Sequence, residues 1–243
     1  MIRCVVLASG SGTKLQSLLD SIFFGEIPDM EIVAVISSDP EANALTRARN
    51  AHIEAVDMHR EVFPNESTFD LAVRNKIRDL DADLVIDAGF HPGVGPETAK
   101  AFKNRIIAVQ PSLVPAFQDL RGLAVHEAVL ARGLKLTGAT AYLVDEQGEI
   151  GAVLLQKAVE VRDDDTAVKL QRRVLRQAEW ILLPEAVRLW CAGAFEVRAG
   201  RAKRIKYKTR RRAKICGVFF SVEFGVEVSA CADVISTARS ATF

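Results

Sequence analysis

The stretch Arg3-Cys4-Val5-Val6-Leu7-Ala8-Ser9-Gly10-Ser11-Gly12-Thr13 decides the fold. Cys4 to Ala8 is apolar without alternation, the mark of a strand buried on both faces of a parallel sheet. Small residues follow at once. Then Leu15, Leu18, Leu19 and Ile22, spaced by three and four, predict a helix over about Thr13–Phe23. Strand, Gly/Ser loop and helix in this order aim backbone N–H groups and the helix dipole at an anion. The loop has neither the Walker spacing nor the full dinucleotide fingerprint, and a tight turn without a ligand is its other reading.

The same alternation continues outward. Glu31–Ser37 reads as a strand, Asn43–Ala51 as a helix and Ile53–Val56 as a short strand. A polar loop, His59–Ser67, leads to a helix from about Thr68 to Leu80. Leu84–Ala88 is a strand carrying Asp87 inside an apolar run, where a carboxylate without a partner would be costly or protonated. A Gly- and Pro-rich loop, Gly89–Pro96, and a helix at Glu97–Phe102 follow. Ile106–Val109 then runs apolar into Gln110-Pro111-Ser112-Leu113-Val114-Pro115, where neither proline can continue a central strand. A structural X-Pro turn is the plain reading, but such loops also line sites at the carboxyl ends of strands. Helix Leu123–Arg132, strand Thr137–Val144, turn Asp145–Gly151 and strand Val153–Val161 follow. Asp163-Asp164-Asp165-Thr166 caps a long helix expected to be re-angled or restarted at Pro184. The pattern is α/β: a mostly parallel sheet with helices on both faces.

Composition agrees with a globular α/β chain, at 243 residues, 49% hydrophobic and 26% charged. No apolar run approaches the roughly 18 residues of a membrane span, and the N-terminus goes straight into a strand pattern rather than a signal peptide. Cys4, Cys191, Cys216 and Cys231 form no CxxC pair, so reduced thiols in the cytoplasm are expected, with no metal site and no membrane partner. Charge is uneven. Arg201–Lys214 holds nine of the 32 Lys and Arg and no acid, which leaves the rest of the chain acidic.

Four stretches, taken together, resemble a known family: Val6–Gln16, Ala88-Gly89-Phe90, Pro111–Pro115, and Gly138-Ala139-Thr140 running on to Val144-Asp145-Glu146. From Met1 to about Arg198 the chain is similar to phosphoribosylglycinamide formyltransferases, the folate-dependent enzymes of purine biosynthesis. The resemblance implies a formyltransferase fold with a Rossmann-like N-terminal half. It divides the matching part into a phosphate-binding half, 1–105, and a catalytic and folate half, 106–198; the basic extension, 199–243, falls outside the resemblance, and the oligomeric state is left open. It assigns the phosphate of glycinamide ribonucleotide to Ser11, Gly12 and Thr13. Lys14 stands where the family usually has Asn, and its ammonium would still attract a phosphate. Val109, Pro111 and Glu179 would hold the glycinamide end. Gly89, Phe90 and His91, with Asp145 and Glu146, would flank the pterin of 10-formyltetrahydrofolate, the formyl donor.

The departures gather at the chemistry. Ala108, Gln110 and Glu149 stand at the family's catalytic Asn, His and Asp. Ala108 has no donor for an oxyanion, and Gln110 cannot titrate. Glu149 keeps the charge on a longer arm. Tyr142 replaces a frequent His and Ala152 a usual Pro. The expectation is a catalytically deficient relative that still binds a phosphorylated ligand. The alternatives are an active enzyme using Glu149, water and His91, and an interaction protein using Arg201–Lys214. His91 reads more simply as a surface residue and His126 as a helix-face residue; His52 and His59 receive no role. For the basic run, a solvated tail or a frame-altered or artificial end is the plainer reading. Nucleic-acid binding is not expected, since no recognisable module accompanies the charge.

Overall fold

The computed structural model describes residues 1–205, together with the backbone of residues 212–215 and 218–221. In chain order the elements are β1 (Ile2–Leu7), α1 (Thr13–Phe23), β2 (Met30–Ser37), α2 (Asn43–Asn50), β3 (Glu54–Asp57), α3 (Glu66–Asp79), β4 (Leu84–Asp87), α4 (Pro96–Ala101) and β5 (Ile106–Gln110). There follow α5 (Leu123–Ala131), β6 (Leu136–Val144), β7 (Ile150–Glu160), α6 (Ala167–Val174), α7 (Trp180–Cys191), β8 (Phe195–Arg198) and β9 (Arg201–Arg204).

Seven strands form one sheet in the order β3-β2-β1-β4-β5-β6-β7. β1 to β5 run parallel, and β6 and β7 are added antiparallel. This is the mostly parallel α/β sheet that the alternating pattern predicts. The chain moves outward from β1 to β3, then crosses back to β4, so the strand order reverses between β1 and β4. In open α/β sheets, ligands bind in the crevice beyond the carboxyl ends at such a point. One face is packed by Leu15, Ala44, Val129, Leu170 and Leu183 from α1, α2, α5, α6 and α7. The other is packed by Phe69, Val73, Ile77, Ala99 and Phe102 from α3 and its neighbourhood. Covering both faces is why the strands read as continuous apolar runs.

Some local boundaries differ from expectation. α3 begins at Glu66 because the Asn65 side chain accepts the Thr68 N–H at 2.9 Å and caps the helix inside the expected polar loop. Thr166 caps α6 as predicted, accepting from Lys169 N–H at 3.3 Å. The long helix is not re-angled at Pro184 itself. A wide π turn, Leu175–Glu179, separates α6 from α7, while Pro184 lies inside α7. Proline offers no N–H to the Trp180 carbonyl, and the distortion appears just upstream of that missing bond.

The first compact unit ends at Ile205, whose N–H donates to Ala194 O at 2.9 Å and closes the β8–β9 hairpin. The second unit is Lys206–Phe243; in it β10 (Arg212–Ile215) pairs antiparallel with β11 (Val218–Ser221). Of the basic run, Arg201–Arg204 is β9 and residues 206–211 lie outside the described residues, as does the remainder of the Val218–Val228 apolar stretch beyond 221. Among the described residues, no helix is long and apolar enough to cross a membrane, and no three His, Cys, Asp or Glu gather as a metal site.

Candidate functional site

Three strand-end loops are tied together at the crevice. Ser9 N–H donates to Gly89 O at 3.0 Å. The Ser9 and Ser38 hydroxyls lie 2.6 Å apart, Ser38 Oγ donates to His91 O at 2.5 Å, and His91 N–H donates to Ser9 Oγ at 3.2 Å. Gly12 has φ +68°, and a Cβ there would lie 2.8 Å from Ala44 Cα, so both backbone and space demand glycine. Arg47 braces the loop through Ser11 O at 3.0 Å and Gln16 Oε1 at 2.8 Å. Gln16 N–H closes the first helical turn on Gly12 O at 2.9 Å. Amides before it have no helical acceptor, so those of Ser11, Gly12, Thr13 and Lys14 lie at the positive end of the α1 dipole, an arrangement suited to an anion.

The chemical centre of the crevice is a row across the sheet: Asp87 on β4, Ala108 on β5 and Tyr142 on β6 are register partners. Asp87 has partners within the loop that follows it. Its Oδ1 accepts the amides of Gly89 at 2.9 Å and Phe90 at 2.8 Å, and so shapes the loop that follows. Ala108 is buried and brings only a methyl group. The Tyr142 phenol is pushed up to about 12 by burial and then by Asp87, while the Arg121 guanidinium pulls it down.

Gln110 is buried at the end of β5, and its side chain is already engaged. Its Nε2 donates to Phe117 O at 3.1 Å and Leu120 O at 2.8 Å, and its Oε1 accepts from Arg121 at 3.3 Å. The amide therefore clasps the irregular loop between Pro115 and α5 and holds Arg121 near Tyr142. The Pro111–Pro115 loop is anchored separately. Buried Thr140 donates to Ser112 O at 2.7 Å and accepts Val114 N–H at 3.1 Å, while Gln156 Nε2 reaches Thr140 Oγ1 at 3.0 Å and Val114 O at 3.2 Å. A Cβ on Gly138 would meet Leu113 Cδ2 at 2.8 Å and Lys157 O closer still. The two motifs, distant in sequence, form one packed unit. Val109, buried, and Pro111, half-buried, run between them.

Glu149 is exposed at the end of a turn whose geometry Asp145 sets. Asp145 Oδ1 accepts the N–H groups of Gln147 and Glu149, each at 2.9 Å. Glu149 acts on Tyr142 electrostatically, which brings it towards the Asp87–Ala108–Tyr142 row. Glu146 pairs with Lys103 instead of facing the crevice alone. Phe90 is buried and stacks on Phe69 at 5.9 Å, and the His91 side chain is exposed. The Gly89–Gly95 and Asp145–Glu149 loops abut, since a Cβ on Gly148 would fall 2.3 Å from Val94 O.

Behind the α1 amides, Lys14 Nζ lies 2.8 Å from Glu179 Oε2, with both side chains largely buried. Burial alone would lower the Lys14 ammonium, but the charge and hydrogen bond of Glu179 prevail and raise it. His126 on α5 is fully buried; burial lowers its imidazole and Glu179 opposes this. Neither of its ring nitrogens, nor Ser112 Oγ, finds a hydrogen-bond partner among the described residues. Sequence reasoning missed Arg121 altogether, and treated Tyr142 only as a replacement. An arginine before Gly122 in a loop is a weak signal that nothing local sharpens.

A seven-stranded α/β sheet whose strand order reverses between β1 and β4, with strand-end loops gathered at that point, is the architecture in which open α/β sheets place their ligand crevice. The chain belongs to the formyl transferase family, whose model matches residues 2–187. It is 36% identical over 172 residues to the phosphoribosylglycinamide formyltransferase of Mycobacterium tuberculosis, covering 71% of this chain and 77% of that protein. It is 34% identical to the trifunctional purine biosynthetic protein adenosine-3 of Bos taurus over 85% of its own length, but spans only 20% of that protein. In structure it is similar to glycinamide ribonucleotide transformylase 1 from Symbiobacterium toebii, with a TM-score of 0.79 at 37% identity, covering 85% of this chain and 95% of that one.

Proposed function

We propose that this chain is a phosphoribosylglycinamide formyltransferase relative that keeps its nucleotide site while its formyl transfer is lost or severely weakened. The observation that carries the reading is the state of Gln110. Its amide is committed to Phe117 O, Leu120 O and Arg121, and beside it Ala108 offers no donor. Formyl transfer needs an amine to attack the formyl carbon, a donor for the oxygen that becomes negative, and a group that moves the amine's proton. A missing oxyanion donor lowers rates about 10²–10³-fold, and a missing general base about 10²–10⁴-fold. The two need not multiply, because residues acting as a unit are non-additive. The amides of Ser11–Lys14 would take the nucleotide phosphate. The abutting Gly89–Gly95 and Asp145–Glu149 loops would hold 10-formyltetrahydrofolate, which when bound supplies the formyl group, in a cytoplasmic setting. An active enzyme using Glu149, water and His91 has less support, because both side chains are exposed and neither is held at the Asp87–Ala108–Tyr142 row by a hydrogen bond.

The test is formyl transfer from 10-formyltetrahydrofolate to glycinamide ribonucleotide, comparing this chain with the double variant Ala108→Asn, Gln110→His. The reading expects turnover near background in the first and a gain of at least a hundredfold in the second. Comparable turnover in both would overturn it.

A further inference from the structure

Away from the crevice, α7 has two unlike faces. Leu182, Leu183, Ala186 and Val187 are buried in the core, while Ile181, Glu185 and Arg188 lie on the outer side, with Ile181 left 48% exposed. Beside that outer side is an open hollow of about 560 Å³, walled by Trp180, Ile181 and Pro184 of α7 and by Ile27 from the turn after α1. Phe23 and Phe24 end α1 between Ser21 and Glu26, two further residues of the same hollow. They stand 83% and 74% exposed, with their rings edge to face at 5.3 Å. At roughly 200 Å² per phenylalanine, the pair alone presents about 300 Å² of apolar surface, a size at which exposed patches are often functional. The charges on this surface alternate in sign. Glu185 and Arg188 are joined by two contacts of 2.7 Å, and Glu26 accepts the Ser21 hydroxyl at 2.7 Å.

We propose that this surface is a two-fold contact between two copies of the chain. A contact about a two-fold axis uses one patch twice, so the patch has to hold its own complement. This one holds both an aromatic projection and an apolar hollow, and both a carboxylate and a guanidinium. An axis passing between Glu185 and Arg188 sets the two α7 helices antiparallel. Each Glu185 then meets the partner's Arg188, and the Phe23–Phe24 pair of each copy covers the hollow of the other. Four phenylalanine rings bring about 600 Å², roughly half of the smaller stable interfaces, and the remainder comes from Ile27, Trp180, Ile181 and Pro184 of both copies.

Sedimentation velocity on the full chain over a wide concentration range tests this. The unaltered chain should pass from monomer to dimer. Phe24→Asp, at a position exposed in the single chain, should fold normally and weaken association about tenfold or more. Glu185→Arg makes the outer side of α7 cationic and Arg188→Glu makes it anionic, so each variant alone should also associate about tenfold more weakly. Mixed in equal amounts, these two should form a mixed dimer as tightly as the unaltered chain dimerises. Neither keeps the Glu185–Arg188 pair within its own helix, so recovery on mixing reads the contact between copies and not the stability of α7. A chain that is monomeric throughout, or a dimer that all three variants leave intact, overturns the proposal. A mixture that associates no better than its components overturns the antiparallel placement of α7 and the two-fold contact with it.

Discussion

Replacing Gln110 by Leu tests whether its amide clasps the loop between Pro115 and α5. Leucine matches the buried volume but removes two donated hydrogen bonds, at 3.1 and 2.8 Å, and one accepted from Arg121 at 3.3 Å. A neutral hydrogen bond contributes about 1 kcal/mol net, and the long contact to a surface-exposed arginine contributes little. The carbonyls of half-buried Phe117 and Leu120 regain water when released, and leucine needs no desolvation, which offsets part of the loss. The net loss is about 1–2 kcal/mol. With a urea slope of about 2 kcal/mol/M, that moves the unfolding midpoint down by about 0.5–1 M. It also raises the open population of the loop about tenfold, so trypsin should cut after Arg121 about ten times faster under native conditions. An unchanged midpoint together with unchanged cleavage at Arg121 would refute the clasp. The same reasoning bears on Gln110→His. A neutral imidazole has a single N–H and can serve only one of the two carbonyls, so this variant should be about 1 kcal/mol less stable than the unaltered chain.

Three further outcomes are expected. Thr140→Val, which leaves Ser112 O and Val114 N–H without their buried partner, should destabilise the chain by about 3 kcal/mol; a denaturation midpoint within error of the unaltered chain would contradict the anchoring of the Pro111–Pro115 loop. Tyr142 is one of two tyrosines, and its phenol is raised by burial and Asp87 to about 12. The stability it contributes as the neutral form is complete below its unfolded value of about 10 and is lost as pH rises from there through 12. An ultraviolet titration should show a late ionisation absent in Tyr142→Phe, whereas a single transition near the ordinary value would count against this environment. Asp165 is held below the usual carboxylate range by its hydrogen bonds from Arg173, two contacts of 2.5 Å, against the opposing effect of burial. Its contribution is present above the unfolded value of about 3.9 and disappears as pH falls through the lower folded one. Acid unfolding of Asp165→Asn should therefore be less steep, and an identical acid limb would argue against the pair.

Much of the fold was legible because its signals are local. Cys4–Ala8, the small-residue loop and the leucine spacing of α1 lie within about two turns of one another, and Gly12 is required by its own φ as well as by α2. Thr166 capped its helix as read, and the apolar run ending at Pro111 and Pro115 placed that loop at a strand's carboxyl end. The absence of a donor at Ala108 and of a titrating group at Gln110 is likewise a property of residue type alone. What the residue types do in place of chemistry is not. Gln110 finds its acceptors seven and ten residues on, in a loop without periodicity, and Lys14 meets a carboxylate from the far end of the domain. Asp87, which reads as a misplaced charge, becomes a loop cap because the chain turns back over it within three residues. Hydrophobic period and turn chemistry act between neighbours along the chain, so the sequence by itself determined the α/β sheet and the glycine-bearing turn that leads from β1 into α1. Pairing of charges and amides across the crevice depends on strand register and helix placement. Only the tertiary structure decided that Gln110 is a clasp, that Arg121 stands over the centre and that Lys14 occupies Glu179.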